Sequence, residues 1–311
     1  MPSRQAISFA SGIYRQRAKL ASAGYVRRDP MALSMLRPGR VNPYAIYDRI
    51  RERGALVPTR RGNWVSTSHR VCDSVLRDRQ FGVRPPENSN FRPEGTESTR
   101  TRVLRVDPPD HTRLRRVAQP AFSPKAVATY QDRIERTVGT LLDQASKGGP
   151  FDLVSAFASP LPIAVITDLL GIPDGDSADF ARYGADIGSA LGGIKSVRHG
   201  RELLASNAVL SPMFRNLLEL RRREPQDDIV SLLVSAGADQ ITPAEILAMC
   251  FLLLVAGFET TVNLIGNAVL ALLDNPDQWQ ALCEDPAGMA PRAVEETLRF
   301  DPPVQRAMRV A

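Results

Sequence analysis

The chain has 311 residues, 43% of them hydrophobic and 24% charged, an ordinary globular composition with enough length to bury a large core, so a disordered chain is excluded. Its cysteines, Cys72, Cys250 and Cys283, lie far apart with no Cys-x-x-Cys spacing, which argues against a disulfide framework or a structural zinc site and fits a reducing, cytoplasmic setting. The formal net charge of +6 comes largely from arginine, but no basic stripe interleaved with aromatic residues marks a nucleic-acid binder.

Basic residues begin early, with Arg4, Arg15, Arg17, Lys19, Arg27 and Arg28 all preceding the first acid, Asp29. Such a start has the composition of an organelle transit peptide, but a solvated arm over residues 1–42 is the plainer reading, and an acidic protein partner explains the charge equally well. No apolar run of the length a secretory signal needs lies near the start. One domain is expected over 43–311.

Pro43 to Arg53 has the pattern of a short amphipathic helix stopped by Gly54, and Ala55–Thr59 and Asn63–Thr67 flank a turn as a hairpin does. From Phe81 to Asp107 proline, arginine, serine and asparagine dominate without periodicity, which predicts a long loop. Beyond Pro108 the pattern is helical, over 124–146, 152–170, 174–191, 197–223, 228–235, 242–273, 276–283 and about 289–300. Glycine and proline mark the breaks, as at Gly171-Ile172-Pro173 and Asn275-Pro276. The fold class is therefore mainly α, a small N-terminal β element against a large helical body.

Asp107-Pro108-Pro109-Asp110 opens a helix on which His111 and Arg115 are four residues apart and share a face. Together they are able to grip a carboxylate of a bound cofactor; with Arg113 and Arg116 they make an equally good solvated basic face. Ile246 to Phe258 is apolar throughout, and Glu259-Thr260-Thr261 follows without a loop signal. A bilayer needs about 20 apolar residues and tolerates a central carboxylate poorly, so no transmembrane segment is expected and the helix belongs in a core. An acid there needs a reason: either a neighbouring arginine satisfies it, or it serves a site. Ala256 and Gly257 leave room for a ligand one turn earlier, and an acid beside a threonine hydroxyl can relay protons. Glu296 and Arg299, three apart on the last helix, form at least an exposed ion pair.

In this order and spacing, Asp-Pro-Pro-Asp-His-Thr-Arg-Leu-Arg (107–115), Ala-Gly-Phe-Glu-Thr-Thr (256–261) and Glu-Thr-Leu-Arg (296–299) followed by Asp-Pro-Pro-Val resemble the soluble bacterial cytochromes P450, over about Pro43 to Ala311. The resemblance implies a haem-thiolate monooxygenase that inserts one atom of O2 into a small apolar substrate, with electrons from a ferredoxin- or flavodoxin-type protein. His111, Arg115 and Arg309 match propionate-binding positions, Glu259 and Thr260 the proton-delivering acid and alcohol, and Ala256 and Gly257 the oxygen pocket. Phe258 and Val304 match pocket walls, and Glu296 with Arg299 a structural pair. Arg113 and Arg116 become docking charges for an acidic electron donor. The family's axial cysteine lies in a glycine-rich loop downstream of the Glu-x-x-Arg helix, and none of the three cysteines here occupies such a loop. The chain is thus expected to lack the axial thiolate, the haem-binding loop and the C-terminal helix; the alternative to an incomplete enzyme is a non-catalytic remnant that at most binds a ligand.

Overall fold

A computed structural model describes residues 4–60, 62–84, 106–189, 194 and 196–311, so most of the loop expected over 81–107 and the end of the helix expected over 174–191 lie outside the described residues. The chain divides into two compact units, one of Met1–Glu94 with Met308–Ala311 and one of Gly95–Ala307. The boundary near residue 42 is therefore not where the compact units part.

The first unit carries α1 (Arg4–Ala21), a π-helical turn at Ser22–Val26, α2 (Pro30–Met35), α3 (Arg37–Val41), α4 (Tyr44–Arg53), the strands β1 (Val57–Pro58) and β2 (Trp64–Val65), and α5 (His69–Arg77). Residues read from the sequence as a solvated arm are folded here, and Asp29 shows why. Only 1% exposed, it caps α2 by accepting from Ala32 N at 2.8 Å and accepts from Arg60 N in the hairpin turn at 2.6 Å. One carboxylate so ties the N-terminal segment to the turn. Gly54 at φ 135° ends α4, a left-handed conformation that glycine adopts without a side-chain clash. The ladder pairs Val57 with Val65 and Pro58 with Trp64, shorter than the sequence suggests, and Thr59 N donates to Asn63 O at 2.8 Å where the chain turns. Ile46, Ile50 and Val57 form the small core beneath, packed by Leu33, Tyr47 and Val65.

In the second unit follow α6 (Asp110–Ala118), a 3-10 turn at Gln119–Phe122, α7 (Pro124–Ser146), a π-helical turn at Val154–Ala158, α8 (Pro160–Leu170), α9 (Asp174–Gly188), α10 (Val197–Arg223), α11 (Ile229–Ser235), α12 (Pro243–Leu273), α13 (Pro276–Glu284) and α14 (Pro286–Phe300). The single helix expected over 152–170 is interrupted. Pro160 has no N–H and sits at the first position of α8, so the preceding turn widens and Ser159 N donates five residues back to Val154 O at 2.9 Å. α7 and α10 have the bounds read from the sequence.

The core centres on α12, whose first half is buried through Ile246, Met249, Cys250, Phe251, Leu254 and Val255. Phe214 of α10 lies between Phe180 of α9 and Phe251 of α12, with edge-on contacts at 5.7 and 5.0 Å between ring centroids. α12 starts from a capping box, Thr242 and Glu245 each bonding to the other's backbone N–H. Among the described residues it alone is long and apolar enough to cross a membrane, by length and composition, yet α8, α9 and α10 cover its first half here.

An ion pair is buried within this core. Arg221 of α10 and Asp228, the N-cap of α11, bond to each other with side chains only 4% and 3% exposed. The guanidinium also donates to Gly171 O at 2.6 Å, and Asp228 accepts from Ser231 N at 2.7 Å. Gly171 ends α8 in a left-handed conformation (φ 70°), and a Cβ there would stand 2.1 Å from an Asp228 carboxylate oxygen. Removing one partner strands the other as a buried charge, which costs about 3–5 kcal/mol. Arg221→Met and Asp228→Leu are each expected to lose roughly that in urea denaturation, and the double variant less than their sum. Additive losses would show that the two side chains do not act as a pair.

Candidate active site

Three sides of α6 have different fates, set by helical spacing. Leu114, Val117 and Ala118 form its buried stripe. On one flank Arg113 donates to Glu245 at 2.6 and 3.3 Å, to Gln240 O at 2.6 Å and to Asp110 at 3.4 Å, which locks α6 to the start of α12. That network commits Arg113 internally, so the expectation of a free docking charge at this position is corrected. Hydrogen bonds from Arg113 are the largest cause holding the Glu245 carboxyl down, to about 2. His111 and Arg115 lie on the other flank, half-buried and exposed, and among the described residues neither makes a side-chain hydrogen bond or ion pair. An uncommitted cation beside an imidazole suits the edge of an anionic ligand.

α12 changes character at Ala256. After Leu254 and Val255, both buried, Ala256 is exposed and Thr260 half-buried. Asn263 and Asn267 continue the same stripe at helical spacing, so small and polar residues line one open side of an otherwise apolar helix. The Thr260 hydroxyl donates to Ala256 O one turn back. Glu259 is half-buried on the flank of this stripe. Gly257 faces α8, where a Cβ would meet Ile166 at an ordinary 3.7 Å. Phe258 packs on α9 beneath Gly188, where a Cβ would come within 2.6 Å of its ring, and so lies about half a turn round from the Ala256–Thr260 stripe.

Asn267 matters although the motif reading passed over it. Its side-chain amide donates to Asp301 O at 2.8 Å, holding the segment after α14 beside the stripe two turns beyond Thr260. Val304, 61% exposed, follows in that segment. The signal was present in the sequence as polar residues at 260, 263 and 267 on an apolar helix, a spacing of three and four. Glu296 accepts from Arg299 at 2.7 and 2.5 Å as an exposed pair, and these hydrogen bonds hold the Glu296 carboxyl below its usual range. A cleft of about 400 Å³ between α12, α13 and α14, lined by Ala268, Leu272, Leu282, Glu296 and Phe300, lies beyond Asn267 and does not include Thr260. Arg309 belongs to the first unit, where its guanidinium donates to Met308 O at 2.8 Å.

No protein-family model matches the chain. It is 35% identical over 283 residues to the biotin biosynthesis cytochrome P450 of Bacillus subtilis, covering 87% of this chain and 70% of the relative. It is 34% identical over 281 residues to nocardicin C N-oxygenase of Nocardia uniformis, covering 88% and 67%. The chain belongs to the cytochrome P450 family. Among solved structures, P450BioI in complex with acyl carrier protein ligated to hexadec-9Z-enoic acid superposes with a TM-score of 0.76 at 34% identity, covering 87% of this chain and 71% of that one. Ligand-free CYP164A2 of Mycobacterium smegmatis does so at 0.76 and 38%, covering 91% and 73%. Fold class and cofactor follow: a mainly helical P450 fold whose group is haem and whose chemistry is monooxygenation.

The exposed side of α12 at Ala256 and the uncommitted pair on α6 are compatible with such a group, a flat ligand with anionic edges. Cys250 is buried within α12, where burial pushes its thiol up to about 12, while Cys283 is exposed on α13 and Cys72 lies on α5.

The Arg113–Glu245 lock has a pH signature. A carboxyl held below its unfolded value near 4.5 adds stability above that pH and loses it as pH falls towards about 2. Thermal melts of Glu245→Gln are expected below wild type at pH 7, with the gap closing across that acid window. A gap unchanged down to pH 2 would remove the ionic lock.

Proposed function

We propose that the open side of α12 is the distal wall of the haem cleft, with Thr260 and Glu259 handling protons and His111 and Arg115 binding the propionates. The observation that carries this reading is the change at Ala256, where a buried helix becomes open on a stripe that holds a hydroxyl. When bound, haem supplies the activation of O2 and transfer of one oxygen atom to the substrate. The balance is R–H + O2 + 2 e⁻ + 2 H⁺ giving R–OH + H2O, so two protons must reach a site from which bulk water is otherwise kept.

Thr260 donates its own proton to Ala256 O and keeps its lone pairs for a donor on the open side. In that state it positions a water or hydroxyl; it becomes a proton source only as the bond to Ala256 O is given up. Glu259, adjacent and half-buried, is the group with a proton to exchange with that hydroxyl or with water. On α6, Arg115 pairs with a propionate by charge-assisted bonds and His111 adds a donor one turn earlier. Ala256 contributes by its small size. Val304, carried on the segment that Asn267 holds, closes the far end of the stripe against an apolar substrate.

An acyl chain is the substrate class we favour, because the solved relative with acyl carrier protein carries a long unsaturated fatty acyl group. Electrons come from a ferredoxin- or flavodoxin-type donor, for which Arg116, exposed on α6, remains a docking charge.

The test separates cofactor binding from proton handling. Arg115→Gln is expected to release haem faster from the reconstituted full chain, read by loss of haem absorbance to an apo-globin acceptor. Thr260→Ala and Glu259→Gln are expected to retain haem and an unchanged carbon monoxide difference spectrum, but to form roughly 10²-fold less product per unit time. Wild-type turnover in both would end the relay assignment, and a chain that takes up no haem would leave the remnant reading in its place.

A further inference from the structure

Between Met1 and Val41 the sequence places eight cations, Arg4, Arg15, Arg17, Lys19, Arg27, Arg28, Arg37 and Arg40, against a single acid, Asp29. Asp29 is 1% exposed and spends both carboxylate oxygens on backbone N–H groups, at Ala32 and Arg60. The exposed side chains of residues 11–41, as described, therefore contribute cations and no acid of their own. Arg15, Arg17, Lys19, Arg27, Arg28, Arg37 and Arg40 are all exposed on it. Asp29 also draws Arg60 of the hairpin turn to the same place, next to Arg28 in the chain.

Apolar and aromatic side chains are exposed among these cations. Tyr14 is 64% exposed, Tyr25 55% and Val26 78%, while Ile13 and Ala23 turn inward to pack the helix. Arg28 holds a positive φ of 52°, a conformation in which glycine is easier and a long cationic side chain is kept at some backbone strain. Single-sign charge with interleaved tyrosine and valine on a helical surface matches the interface of an anionic bilayer, which attracts each cation and accepts amphipathic rings at headgroup depth.

We propose that the exposed face of residues 11–21 of α1, the π-helical turn and Arg27–Arg28 is a docking surface for an anionic lipid bilayer, which it touches without crossing. A fluid anionic surface fits better than a protein partner, because a bilayer meets dispersed cations without requiring carboxylates in a fixed pattern, and the exposed cations here are spread from Arg15 to Arg40 rather than gathered round one apolar anchor. Independence from the haem assignment is complete, since every residue invoked lies in the first unit.

Sedimentation of the full chain with vesicles tests it. The chain is expected to pellet with phosphatidylcholine–phosphatidylglycerol vesicles, to stay in solution with phosphatidylcholine alone, and to be released as salt rises. Arg15→Glu with Lys19→Glu and Arg27→Glu is expected to abolish pelleting, and each cation neutralised singly to weaken it about fivefold. Arg28→Gly keeps the falsification clean: it relieves the left-handed backbone, so its melting temperature is expected to match or exceed wild type while its vesicle binding falls. Equal pelleting with neutral and anionic vesicles, wild-type binding by these variants, or binding to an acidic protein such as a reduced ferredoxin through the same cations without any to lipid, each overturns the proposal.

Discussion

A guanidinium and a carboxylate taken out of water at the junction of α8, α10 and α11 set the geometry on which the rest of the second unit depends. Arg221 is long enough to satisfy Asp228 and the Gly171 carbonyl at once, and the carboxylate stands so close to Gly171 that no side chain fits there. The end of α8 is thereby fixed relative to α10. Ile166, one turn before that end, faces Gly257, and Gly188 at the end of α9 receives the Phe258 ring. The depth at which α12 lies against α8 and α9 follows from these contacts, and so does which side of it stays open. Desolvating two charges is expensive, and such a pair specifies one arrangement over near alternatives more than it adds net stability.

Within that frame α12 serves two solvents. From Ile246 to Val255 every side of the helix meets apolar neighbours or is half-covered, and side-chain chemistry there is that of a core. At Ala256 a small residue takes the place of a large one on one side, and from there polar residues recur at 260, 263 and 267 on that side. A threonine hydroxyl bonded one turn back costs the helix little, because its carbonyl partner is already within reach. Such a hydroxyl can leave that bond for a ligand without leaving a buried group unsatisfied, provided the ligand or water replaces it. This exchange is open to a threonine at that position and closed to a core aliphatic residue.

Local pattern made most of the helical body legible in the sequence: apolar periodicity between glycine and proline breaks gave α7 and α10 their bounds and placed the start of α12 within a residue. The Glu259-Thr260 pair and the His111 and Arg115 pair could be singled out because their spacing is itself the signal. What stayed hidden depends on partners far away in the chain. Arg113 looked like surface charge, and its partner Glu245 is 132 residues distant. Asn267 belongs to a polar stripe that the sequence shows, but its partner carbonyl at Asp301 is 34 residues away. The π-helical turn before Pro160 was missed for a different reason: periodicity of 3.6 and a single widened turn differ by one residue, less than a pattern reading resolves.

The same residue type has four fates here, and burial geometry decides among them. Arg221 lies on the buried side of α10, meets the N-cap of α11 and becomes a core ion pair. Arg113 lies at the edge of a buried stripe, meets a helix start with a carboxylate in its first turn and becomes an interhelical clamp. Arg115, two residues on, emerges on the opposite flank of the same stripe, exposed and without a side-chain hydrogen bond or ion pair among the described residues. Arg27 and Arg28 are exposed just before Asp29 in the chain, whose carboxylate is withdrawn into the fold and spent on backbone N–H groups. A count of charges assigns all of these to the surface; only the position of each relative to its helix's buried stripe, and of each acid relative to solvent, separates a cation that holds the fold from one that waits for a partner.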